Sequence, residues 1–170
     1  MPTLHLSTAA DPSFLQGIVR MFRDWIRHAV WMVALLSLCG CAVNRETADI
    51  TQGVDLSNVR SFYVVKLDAD ERGVDALIAK QLVAMGFRAT VGAESAKPGN
   101  VDAIVTYRDK WFWDITMYML ELDITLRNPT SNFPMAVGNS FHTSLTRKAP
   151  EEMVKEVLTN IFNKSKKGSS

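Results

Sequence analysis

The sequence predicts an α+β domain built as two layers, with a mainly antiparallel sheet covered on one face by two helices. Three observations predict it. Four β-type segments follow one another between residues 87 and 146, one of them strictly alternating. Two segments with helical apolar spacing bracket them, at 74–85 and 150–163. A β-branched, aromatic run, Ser61–Leu67, precedes the first helix. Strands that follow one another favour a meander, and the helices must bury their apolar stripes against it.

Taken in order, SFYVVKL reads as a strand, and DADERG after it reads as a turn with helix-capping aspartates. Val74, Leu77, Ile78, Leu82 and Val83 recur at helical spacing, and Gly86 stops the helix. Phe87–Val91 makes a short strand, closed by the loop GAESAKPGN. VDAIVTYRDKWFW and ITMYMLELDITLR are long strands. In the second, Leu120, Leu122, Ile124 and Leu126 alternate with Glu121, Asp123, Thr125 and Arg127, which leaves one face wet. NPTSN turns into MAVGNSFHTSLT, with Met135, Val137, Phe141 and Leu145 assigned to the buried face. Pro150, Glu151 and Glu152 then suit the first turn of a helix carrying Met153, Val154, Val157, Leu158, Ile161 and Phe162. The order is β-α-β-β-β-β-α, in one domain over residues 59–164 without an internal repeat.

The N-terminal part reads differently. Ala29–Leu38 is free of charge, follows Arg23 and Arg27, and leads into small residues, which is the layout of a secretory signal. It is short of the roughly 20 apolar residues a membrane-spanning helix needs. Residues 1–20 are neither basic nor apolar-periodic, so Met21 is the expected start, and residues 1–40 the expected signal. From Cys41 to residue 58 the chain is polar and without a sustained period. It reads as a tether, and residues 165–170 read as a disordered tail.

Leu38-Cys39-Gly40-Cys41 resembles the lipobox of bacterial lipoprotein precursors, with Leu38 and Gly40 in the positions read by the signal peptidase and Cys41 as the modified residue. The resemblance implies a diacylglyceryl thioether on Cys41, cleavage before it, loss of Cys39, and attachment to a membrane through acyl chains. Two or three such chains anchor stably where one does not. Ala42 after the cysteine resembles lipoproteins sorted to the outer membrane. The mature part, over Ser61–Asn163, resembles small proteobacterial lipoproteins with a periplasmic domain of unknown function, on SFYVVKL to MGFRATVG, VDAIVTYRDKWFWDITMYML and PEEMVKEVL. That class carries no activity over.

Little chemistry is written in the rest. A formal net charge of +1 supplies no basic stripe for nucleic acid. A lone C-x-C is a poor zinc site. DADERG fails as a calcium loop, since Arg72 and Ala79 stand where ligands are required. Ser140 and His142 lie two apart on a strand and are expected on its wet face as an exposed pair, outside any nucleophile elbow. No catalytic residue, metal or cofactor is assigned.

Lys110–Met119, KWFWDITMYM, is the unusual stretch. Its tryptophans are either core, as aromatics in small domains often are, or a face for a partner or glycan ring. The expectation is mixed: one of Trp111 and Trp113 is buried and the other accessible near Asp114, with Tyr118 and Asp114 as further candidate contacts. The functional expectation is an outer-membrane-anchored, non-enzymatic periplasmic module that binds or scaffolds an envelope protein or glycan. The alternative is a periplasmic ligand-binding or hydrolytic domain using the Trp111/Trp113 region.

Overall fold

The computed structural model describes residues 20–21, 23–31 and 44–168. Leu38, Gly40 and Cys41 lie outside the described residues, as do 1–19 and 169–170. The chain divides into two compact units, residues 1–41 and 42–170. In the first, residues 23–31 are helical and exposed throughout, with His28 Nδ1 2.6 Å from the Asp24 carbonyl. Among the described residues no helix is long and apolar enough to cross a membrane.

The second unit is α+β, with a six-stranded mixed sheet. Its strands are β1 (Arg45–Ile50), β2 (Ser61–Val65), β3 (Arg88–Gly92), β4 (Ala103–Trp113), β5 (Met117–Arg127) and β6 (Pro134–Phe141). The helices are α1 (Val74–Ala84) and α2 (Pro150–Gly168). In space the strands run β1-β6-β5-β4-β2-β3. The pairs β1–β6, β6–β5 and β5–β4 are antiparallel, and β2 pairs in parallel with both β4 and β3. The parallel pairing of β2 with β3 follows from the helical crossover α1, because a tight hairpin can join only antiparallel strands.

Both helices cover the same face. Val74, Ile78 and Leu82 of α1 and Met153, Val154, Val157, Leu158, Ile161 and Phe162 of α2 meet Phe62, Val64, Ala103, Val105, Leu122, Ile124 and Leu126 in one core. At about 1.5–3 kcal/mol for each large apolar side chain taken from water, these stripes are what hold the layers together. Phe62, Phe87 and Phe162 close one end of this core, with ring centroids 4.7–6.1 Å apart.

The uncovered face is polar across four strands, as the alternation in β5 predicts. Arg108 pairs with Asp123 (2.8 Å), Asn139 donates to Asp123 (2.7 Å) and Glu121 (3.0 Å), and Arg45 reaches Glu121 (3.0 Å).

Two segments differ from expectation. The polar stretch expected to be a tether contains β1, which pairs with β6 along its full length from Arg45↔Phe141 to Ile50↔Ala136. A strand at a sheet edge needs backbone partners more than apolar side chains, so its sequence shows no period. The basic end expected to be a tail continues α2 to Gly168, where Lys166 and Lys167 sit favourably at the negative end of the helix dipole.

At DADERG, Asp70 is the anchor rather than a metal ligand. Its carboxylate accepts the backbone N–H groups of Arg72 (2.8 Å), Gly73 (2.8 Å) and Asp75 (3.2 Å) and the hydroxyl of Tyr107 (2.6 Å). Burial pushes this carboxyl up, but the four bonds outweigh it and hold it below its usual value. Asp70→Ala is expected to cost about 1–2 kcal/mol, the worth of a helix cap, read by urea denaturation.

Candidate functional site

Met135, at the start of strand β6, is buried as assigned from the sequence, but from Ala136 onward the strand buries the face opposite to the assigned one, leaving Val137 and Leu145 exposed. Ala136, Gly138, Ser140 and His142 face the helices, whereas Val137, Asn139 and Phe141 face outward or sit half-buried. The reason is Gly138. A Cβ there would lie 2.6 Å from Val157 Cγ1 and 2.9 Å from Ile161 Cδ1, so α2 rests on bare backbone. Because side chains alternate, this one contact turns Ser140 and His142 inward with it. They are 0% and 1% exposed, and the expected exposed pair is therefore a buried one.

What they meet is Glu156 of α2. Ser140 Oγ donates to Glu156 Oε2 (2.6 Å), and His142 Nε2 lies 2.8 Å from the same oxygen. Glu156 Oε1 takes the Lys148 ammonium, which lies 3.6 Å from Glu46 of β1. Burial pushes the Glu156 carboxyl up, but the bonds from Glu46, Lys148, Ser140 and His142 outweigh it and bring it to about 2. The Glu46 carboxyl moves the other way, raised by its hydrogen bond to Glu156, by burial and by repulsion from that second carboxylate. The cluster ties β1, β6 and α2 together. Lys164 completes the strap at the other end of β1, 2.7 Å from Asp49.

The chemistry open to this cluster is limited by its bonding order. In a serine nucleophile the hydroxyl proton passes to histidine, which a carboxylate orients from its far side. Here hydroxyl and imidazole both end on one carboxylate oxygen, and the serine proton is already committed to it. His142 Nδ1 is buried without a hydrogen-bond partner among the described residues. Glu46, His142 and Glu156 each bring a donor atom within 4.8 Å of the others, a span a divalent cation could bridge. The Lys148 ammonium already supplies positive charge at both carboxylates. The arrangement is a helix-to-sheet clamp.

The aromatic stretch ends the β4–β5 hairpin. Trp111 is half-buried against the core, its indole N–H bonded to Asp109 and its ring 4.4 Å beneath the Arg72 guanidinium. Trp113 is 66% exposed, beside Phe112 at 52%, Ile115 at 82% and Met117 at 47%. Tyr118, a candidate contact from the sequence, is instead buried, with Arg147 4.9 Å over its ring. Asp114 pairs with Arg147 at 3.7 Å, and Arg147 also donates to Thr116 Oγ1 (2.7 Å). The two tryptophans therefore do not form a paired-ring cleft. Trp111→Ala is expected to cost about 2 kcal/mol, below the range of a fully buried aromatic, while Trp113→Ala moves stability by under about 0.5 kcal/mol. Thermal melts of the two variants separate these outcomes.

Glu46, Lys148 and Glu156 were not legible as site residues. Glu156 sits three residues after Met153 on the rim of an apolar stripe, where a glutamate reads as solvated. The available signal was the run of small residues Ala136, Gly138 and Ser140 on one strand face, which marks where a helix can approach closely.

A two-layer α+β domain with this strand order defines a fold class and not an activity. No family model and no curated protein matches the chain. Among solved structures it is similar to the PelC dodecamer from Paraburkholderia phytofirmans, with a TM-score of 0.53 and 14% identity, over 69% of this chain and 98% of that one. It is also similar to a single-substitution form of that dodecamer in a second crystal form, with a TM-score of 0.51 and 13% identity over 69% and 97%. At these identities the likeness shows the fold alone.

Proposed function

We propose that this chain is a lipid-anchored periplasmic module, acylated at Cys41 and held at the outer membrane, whose α+β domain binds or scaffolds another envelope component. One observation carries the non-catalytic part of this reading. The polar groups capable of chemistry, Ser140, His142, Lys148 and Glu156, are spent on holding α2 to the sheet, while large apolar side chains stand exposed at one end of it. An exposed apolar cluster of this kind marks contact with another surface, a protein or a membrane.

Anchoring is tested by labelling with palmitate in cells. Cys41→Ser is expected to leave the precursor uncleaved and unlabelled, and Cys39→Ser to behave as the parent protein. The reverse pattern would show that the box is misassigned. A chain starting at Met21 should be exported and labelled equally well; loss of export would place residues 1–20 in the signal. Scaffolding is tested by a photo-crosslinker in place of Thr125 on the polar sheet face. A discrete adduct in intact cells supports it, and adducts no different from those of a buried position count against it.

A further inference from the structure

We propose that the tip of the β4–β5 hairpin, together with Leu145, rests in the surface of the bilayer that holds the acylated Cys41, so that the domain is fixed to the membrane at two points. This rests on the reading of Cys41 as the lipidated residue.

The geometry begins with β1. Arg45 pairs with Phe141, Phe141 with Glu121, and Glu121 with Lys110, so the first residue of β1 stands level with the far end of β4. The hairpin residues beyond Lys110 project from that same end. Side-chain contacts join the two places directly: Thr146 bonds Asn44, and its neighbour Arg147 bonds Thr116 and Asp114 at the hairpin turn. Leu145, between Ser144 and Thr146, is 84% exposed. Asn44, three residues after Cys41 in the sequence, thus lies at the end of the sheet that carries Phe112, Trp113, Ile115, Met117 and Leu145, all exposed and all apolar.

Chain length decides what can cover them. A flexible tether from Cys41 to residue 58 would reach about 60 Å at full extension and leave the domain free to turn. With β1 in the sheet, only Ala42 and Val43 separate Cys41 from Asn44, a reach of about 11 Å. That is comparable to the headgroup layer on one side of a bilayer, roughly 5–8 Å from the difference between total and hydrocarbon thickness. An end of the domain held so close to lipid meets headgroups and the upper acyl chains first. Tryptophan is favoured at that depth, and exposed aliphatic side chains add buried apolar area. The lysine and arginine beside the tip, Lys110 and Arg147, suit the headgroup level for the same reason that basic side chains snorkel there. Arg108, Asp123 and Asn139 lie on the sheet face two residues further from the tip than Lys110, and stay in water.

The test uses the mature acylated protein in vesicles of phosphatidylethanolamine and phosphatidylglycerol whose acyl chains are brominated. Only two tryptophans, Trp111 and Trp113, follow Cys41, so quenching by bromine reports on them alone. Strong quenching is expected, and Trp113→Phe should remove the larger part of it, because Trp111 is packed under Arg72. Ile115→Asp combined with Leu145→Asp should lower the quenching of Trp113 severalfold; both sites are exposed, so the fold is kept, as a melt verifies. The mass of the same sample reports acylation. An acylated protein whose Trp113 is not quenched by bromolipid overturns the membrane contact and leaves the anchor standing. If Trp113 is also shielded from aqueous acrylamide, a second copy or another protein covers the tip instead. A sample without acyl mass overturns the anchor and the proposal together.

Discussion

Replacing Glu156 by alanine is expected to cost about 3–5 kcal/mol, the range found when one partner of a buried charged cluster is removed. The side chain is mostly buried, at 10% exposed; the Ser140 hydroxyl and the His142 imidazole lose their partner with it, and the Lys148 ammonium keeps only Glu46, at 3.6 Å. A domain of this size has only about 5–15 kcal/mol in total, so the variant should melt far below the parent protein or fail to accumulate. Urea unfolding measures it. A loss under about 1 kcal/mol, the size of an exposed ion pair, would show that the cluster is solvated and not a clamp.

The same carboxylate makes stability depend on pH with a definite sign. Its folded value, about 2, lies below the ordinary 4.5. The contribution is therefore fully present above about pH 4.5 and is lost as pH falls toward 2, where the folded state must take up the proton too. Glu46 acts with the opposite sign, since its value is raised, and it offsets part of the effect. Glu156→Gln should flatten the acid limb of a stability-against-pH curve between these values. A limb unchanged in shape would assign acid unfolding to other carboxylates, of which Asp55, Asp70 and Asp102 have lowered values.

Enlarging Gly138 is expected to have the next largest effect. Gly138→Val inserts a branched side chain where even a Cβ meets Val157 Cγ1 at 2.6 Å. Overpacking typically costs about 1–3 kcal/mol and sometimes more, and here the obstruction is the contact seating α2 on the sheet. The variant is best made alone and with Val157→Ala. If contact with Val157 is the cause, the pair should recover a large part of the loss, a coupling of about 0.5–3 kcal/mol between neighbours. Simple additivity would mean that the strain lies in the backbone of β6.

Much of the fold was legible because the signals were local. The alternation of Leu120 to Arg127 specifies β5 and its wet face, and the helical spacing from Met153 to Phe162 specifies α2; each needs only its own residues to be read. The consecutive β segments then leave little choice of fold class, and the α+β sheet with both helices on one face follows. The expectation that one tryptophan is buried and the other accessible is met at Trp113 and only in part at Trp111, which is half-buried, since a hairpin end is open on the side away from the core.

The tertiary structure alone decided three things. It placed β1 in the sheet, because an edge strand is held by pairing with β6 and by ion pairs to Lys164 of α2 and to Lys148 just before that helix, and neither leaves a period in the sequence. It chose the buried face of β6. Met135, Val137 and Phe141 made one parity look apolar, yet the other parity carries Gly138, and only α2 needing backbone contact there breaks the tie. It also assembled Glu46, Ser140, His142, Lys148 and Glu156, which come from β1, the end of β6, the segment before α2 and α2 itself. A strand's two faces differ only by what is packed against them, and charge partners far apart in the chain meet only once that packing exists.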